Sequence, residues 1–369
     1  MPQVFYSSIF GELTRNTQVR FDAVSEQHKK LFDNVIFEQF LDWDIPTIGL
    51  NFEELIGQYN ITVAAPTIGD NSKESILGSE GLASLKEKVL NHAITRPMKI
   101  EDYRKVLQLL DSKSIPDKTK KDQLVNLMFG KVTDVVGSVL AKIDIIFLRA
   151  LFNEGKCDID EAINPEGGVR GVINYNQPKE NIASATTEWT TPNIGKVDCF
   201  EDIQAVIDAA ADKVTFGKIL CSPATISYIC RAANTHKMIN GTDKSSRIVQ
   251  LSNLNQYMQE NNLPIFVPLR RQVRIQNGSQ LTPYSPINDK NLVFVPDGKL
   301  GLVKNAWANN ELKKEAGVAY SNYGRIRVSQ WGVGETQGSN GVEFVKAESL
   351  SLPVITEMNG IYTLKAKTE

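Results

Sequence analysis

The stretch that decides the fold runs from Asp122 to Phe152, DQLVNLMFGKVTDVVGSVLAKIDIIFLRALF. Its apolar residues fall at Val125, Met128, Phe129, Val132, Val135, Val136, Val139, Leu140, Ile143, Ile146, Phe147, Ala150 and Leu151. That three-to-four spacing marks a helix with one dominant apolar face. At 1.5 Å per residue it would be on the order of 45 Å long. Gly130 and Gly137 lower its intrinsic propensity, so tertiary packing must hold it. Asp134, Lys142, Asp144 and Arg149 interrupt the apolar run, so it is no bilayer span. No other stretch offers about 18 consecutive uncharged apolar residues. Gly155 is placed to stop the helix.

Upstream of this spine the texture changes twice. Residues 1–40 carry Phe5, Tyr6, Phe10, Phe21, Phe32, Phe37 and Phe40 among charges, with weak helical spacing from Asp22 to Phe40. This reads either as an arm that packs on something else or as an N-terminal core helix. On the arm reading, Phe32, Ile36 and Phe40 are anchors against the long helix or a neighbouring subunit. On the long helix, Val132, Val136, Val139 and Ile143 form the matching apolar face. Residues 60–98 carry turn formers at one end (Pro66, Gly69, Asp70, Asn71, Ser72), Pro97 near the other, and Gly78, Ser79 and Gly81 between. Its apolar residues are too sparse for a core of its own. Such an excursion is either partner-bound or a surface loop.

Downstream the pattern alternates. Gly168–Tyr175 is β-like. Asp198 with Glu201 suggests a capped helix start, and Phe200, Ile203, Val206, Ile207 and Ala210 give it a face. Lys218–Cys221 reads as a strand, and Ser222-Pro223 opens the next helix. Ser252 is the expected cap of a helix through about Glu260. Pro264–Val267, Val273–Ile275 and Asn291–Asp297 read as strands, and Asn277-Gly278 as a hairpin turn. The final segment returns to β at Arg325–Val328, at Val342–Leu352, and in a hairpin expected around Asn359-Gly360.

Composition limits what such a chain does. It has 369 residues, 41 Lys+Arg against 43 Asp+Glu, a formal net charge of −2, and 41% hydrophobic residues. These values are those of a folded globular chain and lack the basic excess of a protein that grips nucleic acid electrostatically. Cys157, Cys199, Cys221 and Cys230 form no CxxC pair. With only His28, His92 and His236 beside them, zinc-site spacing is absent. The N-terminus has no secretory-signal pattern. No P-loop, GxGxxG, GxSxG or HExxH appears. Arg270 and Arg271 read either as an intersubunit or nucleic-acid contact or as a solvated strand end.

The order of these segments resembles the major capsid protein of tailed double-stranded DNA phages, the Hong Kong 97-like fold, and within it the lambda-type capsid protein E family. The resemblance rests on ITVAAP…ITRPMKIEDYRKV from residue 61, the helix 122–152, Thr187-Glu-Trp-Thr190 followed by Asp198…Asp202-Ile203, the series Pro264–Val267, Val273–Gly278 and Phe294–Asp297, and the tail with Ser351–Val354 and Tyr362–Leu364. It implies an α+β subunit in four parts. They are an N-terminal arm (1–40), an extended E-loop (60–98), a peripheral P-domain built on the spine helix (41–59, 99–196 and 316–369), and an α/β axial A-domain (197–315).

It further implies a structural protein and no enzyme, without cofactor or metal, that builds an icosahedral head from hexamers and pentamers of itself. The shell would assemble in the host bacterial cytoplasm and remain in the virion. The implied partners are separate scaffolding, portal and decoration proteins, and packaged double-stranded DNA held by weak non-specific contact, with no membrane. An E-loop starting near residue 60 leaves little room for a built-in scaffolding segment. The rival readings are an encapsulin-type nanocompartment shell and, farther off, a soluble α/β enzyme.

Overall fold

The computed structural model describes residues 35–56, 83–98, 104–105, 108, 117–167, 169–241, 249–316, 318–333 and 342–367. Residues 1–34 and 57–82, which include Phe32 and most of the E-loop expectation, lie outside the described residues.

Two sheets organise the chain. Short helix α1 (Phe37–Phe40) leads into strand β1 (Leu41–Trp43), followed by the β2–β3 hairpin (Asn51–Ile56 with Ala83–Lys88) and β4 (Leu90–Met98). Then comes α2 (Asp117–Phe152), which begins earlier than the apolar pattern indicated. It stops where Glu154 and Gly155 take positive φ and the Gly155 N–H bonds back to the Ala150 carbonyl at 3.0 Å. A small hairpin, β5 (Lys156–Ile159) with β6 (Gly171–Asn174), follows, and then β7 (Ile182–Ser184).

The next segment alternates helices with strands. It runs α3 (Cys199–Ala210), β8 (Phe216–Cys221), α4 (Pro223–Arg231), α5 (Ala233–Asn240), α6 (Leu251–Glu260) and β9 (Ile265–Pro268). Local chemistry places the starts of α3 and α4. The Asp198 carboxylate accepts from the Phe200 and Glu201 amides, and the Ser222 hydroxyl accepts from the Thr225 amide ahead of Pro223. Ser252 does not cap α6. Gln250 holds that position without a side-chain bond, and the Ser252 hydroxyl turns to Asn253.

The β10–β11 hairpin (Val273–Asn277 with Gln280–Tyr284) forms where its sequence indicates, but one residue later than the Asn277-Gly278 pair suggests: Asn277 still pairs with Gln280, and Gly278-Ser279 make the turn, with Gly278 at φ +59°. Then come β12 (Asn291–Pro296), β13 (Gly301–Ala306), the short helix α7 (Asn309–Leu312), β14 (Ala319–Tyr323), β15 (Ile326–Val333), β16 (Val342–Ile355) and β17 (Tyr362–Lys365).

The first sheet runs β1-β13-β16-β15-β14, with β4 antiparallel to β16 from Met98↔Glu343 to Leu90↔Ser351. It packs on α2, and the shared core includes Val132, Val136, Ile143, Phe147, Val303, Val345 and Leu352. The second sheet runs β7-β17-β12-β8-β9. Strand β12 is buried throughout because its side chains alternate between two cores. Val293 and Val295 join the α2 core, whereas Leu292 and Phe294 join the core under α3, α4 and α6.

Two expectations change. The Asn359-Gly360 hairpin does not form, because β16 and β17 belong to different sheets. Neither residue adopts the positive φ that a tight hairpin turn requires. The Thr356 and Glu357 amides instead bond to the Leu300 carbonyl at 3.0 and 3.1 Å, and Met358 and Ile361 are buried in the α2 core. Residues 301–306, grouped by sequence with the α/β segment 197–315, pair with β16 and β1. Residues 362–365, grouped with the closing strands, pair with β12 and β7.

Gly301 sits where these connections converge. A Cβ there would lie 2.1 Å from the Val354 carbonyl oxygen, a backbone atom that cannot swing aside. Gly301→Ala should therefore lower subunit stability by about 2 kcal/mol or more, read as a drop in the urea midpoint of unassembled subunits at unchanged slope.

Candidate functional site

The long helix α2 (Asp117–Phe152) is the element to which the rest of the chain is fastened. Its apolar face supplies burial. Its charges between Val132 and Phe152 each reach another part of the chain. Asp134 pairs with Arg96 on β4, which ties the strand leading out of the excursion to the helix. Lys142 donates to the Ile163 carbonyl in the loop between β5 and β6. Arg149 bonds the Asp160 carboxylate at 3.0 Å and the Tyr284 hydroxyl at 3.4 Å, joining that loop to the β10–β11 hairpin.

Asp144 is the fourth and the most buried, with no side-chain exposure. Its Oδ1 accepts from the Ile36 amide at 3.0 Å and the Phe37 amide at 2.8 Å. Arg271 Nε stands 2.9 Å from Oδ2 as an ion pair. The α1 segment would otherwise bury two unpaired amides, at a cost of about 1–3 kcal/mol each. Asp144 answers both and sets the position of Phe40, whose ring lies 5.9 Å from that of Phe147. Burial pushes the Asp144 carboxyl up to about 6, against the opposing pull of Arg271 and the two amides.

Of the residues singled out from sequence, Ile36 and Phe40 are brought onto the helix of their own chain at Asp144 and Phe147, and they belong to the same buried core as Val132, Val136, Val139 and Ile143. Phe32 lies outside the described residues. Arg271 is neither a solvated strand end nor an external contact, since it neutralises Asp144 from inside, while Arg270 is exposed. The pair escaped sequence reading because its members are remote in the chain. The available signal was an aspartate set between Ile143 and the Ile145-Ile146 pair, on a face otherwise apolar.

The Thr-Glu-Trp-Thr motif serves a similar locking role. Trp189 is buried and donates through Nε1 to the Asp202 carboxylate at 2.8 Å, while the other oxygen accepts from the Thr186 amide at 2.9 Å. This locks the chain ahead of α3 (Cys199–Ala210) onto that helix.

The Cys157, Cys199 and Cys221 thiols are buried, and burial pushes Cys157 up to about 12. The His236 ring meets Asn240 at 3.4 Å, and no metal-holding group of His, Cys, Asp or Glu occurs among the described residues. No helix among the described residues is long and apolar enough to cross a membrane.

Removing the carboxylate tests the lock. Asp144→Ala should cost about 3–5 kcal/mol, because it strands two amides and the Arg271 guanidinium, and should shift the denaturation midpoint of the subunit accordingly.

A second test uses pH. Burial, aided by nearby Lys142, holds the His92 ring down to about 4, and its Nε2 has no partner among the described residues. A ring that titrates lower in the fold than its ordinary 6.5 stabilises fully above pH 6.5 and loses that contribution as pH falls through 4. Asp144 titrates higher in the fold, about 6 against 3.8, so its contribution is full below 3.8 and lost as pH rises through 6. The two slopes oppose each other between pH 4 and 6, each on the order of 3 kcal/mol. His92→Leu should expose the Asp144 slope alone. Its urea midpoint, relative to wild type, should rise steadily as pH is lowered from 6.5 to 4.

Comparison with known proteins agrees with this architecture. The family model of phage major capsid protein E matches residues 81–366. No protein of curated function matches the sequence significantly. Among solved structures, one assigned as the capsid protein of a prophage of Escherichia coli CFT073 aligns at TM-score 0.53 and 13% identity, over 90% of this chain and 87% of that one. A phage-related protein from Bordetella bronchiseptica RB50 aligns at TM-score 0.48 and 11% identity, over 90% and 92%. The capsid of Myoviridae phage XM1 aligns at 0.43 and 10%, over 89% and 90%. At these identities the likeness to the first is one of fold, the mixed α+β fold of Hong Kong 97-type capsids expected from the sequence. With the family model matched across more than half of its length, the chain belongs to the phage major capsid protein E family.

Proposed function

We propose that this chain is the shell subunit of an icosahedral phage or prophage head. It would assemble as hexamers and pentamers that close around double-stranded DNA in the host bacterial cytoplasm and remain in the virion. The family match over residues 81–366 carries the reading. Membership of a capsid family makes the chain a structural protein and no enzyme.

Several features of the chain support the finer reading. A head subunit has to present arms while keeping its own body rigid, and α2 (Asp117–Phe152) reaches other parts of the chain through four charges. The balance of 41 basic against 43 acidic residues suits a wall that surrounds DNA without gripping it. In this reading the lobe built on the second sheet, with its helices α3 to α6, is the A-domain and faces the capsomer centre. The lobe built on α2 and the first sheet is the P-domain and forms the perimeter. The excursion 60–98 is the E-loop and lies across a neighbour. Ile36, Phe40 and the Val132, Val136, Val139 and Ile143 face contribute to assembly by fixing the arm's point of departure. Separate scaffolding, portal and decoration proteins are the further partners.

Electron microscopy of the purified chain, expressed alone and with its neighbouring phage genes, tests the proposal. Closed shells of uniform diameter are the expected result. A small monodisperse oligomer under both conditions, with no capsomers or particles by size exclusion, would overturn it.

A further inference from the structure

We infer that the loop Asp44–Leu50, together with Trp307 and Leu312, is a contact surface for a second copy of this chain. The inference rests on the shell reading above and names one surface that such a shell would use.

The loop reads Asp44-Ile-Pro-Thr-Ile-Gly-Leu50. Ile45 and Ile48 are each 76% exposed, and Leu50, Trp307 and Leu312 are exposed as well. The backbone brings these residues to one edge of the first sheet. Thr47 bridges Ala306, the Thr47 amide donates to the Asn305 carbonyl at 3.0 Å, and the Trp307 amide donates to the Thr47 carbonyl at 2.9 Å. Leu312 follows within one turn, its amide bonded to Ala308.

This loop is held firmly. Asn305 Nδ2 donates to the Asp44 carbonyl at 2.6 Å, Lys304 pairs with the Asp44 carboxylate at 2.7 Å, and the Thr47 hydroxyl donates to the Gly49 carbonyl at 2.9 Å. Beneath it sits a small core of its own, Val89, Ala306, Ala308 and Leu350. Connecting loops are normally polar where they meet water. A braced loop that points two isoleucines outward beside a tryptophan has the composition of an interface centre.

The charges around the surface select the occupant. Asp42 pairs with Lys299 and Asp44 with Lys304, and the Glu311 carboxylate closes on the Ala308 amide. Exposed Lys313, Lys314 and Glu315 follow Leu312, and Arg325 acts on Asp44, so the rim carries both signs and is not the one-signed basic face that an anionic bilayer would require. For a member of a capsid family, the partner present at every position of a closed shell is another copy of the chain.

Ile48→Cys gives a direct readout, because Cys157, Cys199 and Cys221 are buried and Cys230 is half-buried. Maleimide labelling at position 48, corrected with wild-type protein, is compared between dissociated subunits and intact particles. The expected result is labelling at least tenfold slower in particles. In parallel, Ile45→Asp combined with Ile48→Asp should leave the subunit's circular dichroism and urea midpoint unchanged but abolish particles. Equal labelling in both states, or normal particles from the double variant, would overturn the inference and leave the shell reading standing. Labelling already blocked in the dissociated subunit, or blocked only when other phage proteins are added, would also overturn it. If wild-type chain forms no particles in any condition, the shell reading fails and the surface assignment with it.

Discussion

A single carboxylate sets the geometry of much of this subunit. Asp144 is wholly buried, and burial of a charge is among the costliest arrangements in a protein unless every lone pair is answered. Here two backbone amides of the arm and the guanidinium of Arg271 answer it. Those partners come from two places, the segment entering β1 (Leu41–Trp43) and the turn before β10 (Val273–Asn277), and both close on the last third of α2 (Asp117–Phe152). An apolar contact at this point would tolerate sliding by a fraction of a turn. A carboxylate with three fixed partners does not, so residues 36 and 37 are held at one place on the helix.

The long helix was legible in the sequence because its signal is local. Apolar residues recur along it at helical spacing from Val125 to Leu151, and no distant information is needed to see them. The caps at Asp198 and Ser222 and, to within one residue, the hairpin at Gly278 were readable for the same reason. The charges on the helix were visible too, but only as reasons why it crosses no bilayer. Their work as docking points was hidden, since the partners of Asp144 lie 108 and 107 residues away at Ile36 and Phe37. Arg271 showed the same limit, because an arginine beside a strand looks solvated until the carboxylate it meets is known.

The Asn359-Gly360 turn failed for a different reason. The dipeptide carries a genuine preference for tight hairpins, but preference competes with tertiary demand. The amides just before it are engaged by Leu300, and Met358 and Ile361 on either side are claimed by the core. The same competition explains why sheet membership ignores the block boundaries drawn from sequence texture. Strand β12 (Asn291–Pro296) serves one core with its odd positions and another with its even ones. The two lobes are therefore a single cooperative body with one wall in common.

The place of β17 (Tyr362–Lys365) bears on when the subunit becomes competent. It lies between β7 (Ile182–Ser184) and β12, parallel to one and antiparallel to the other. A nascent chain emerging from the ribosome has made β7 long before β17 exists. Until residues 362–365 have been synthesised, β7 has no neighbour and β12 keeps one edge open. Both edges are closed by that one segment. Chains that lack residues 362–365 thus carry an unfinished sheet, so its completion waits on a segment made far later than β7.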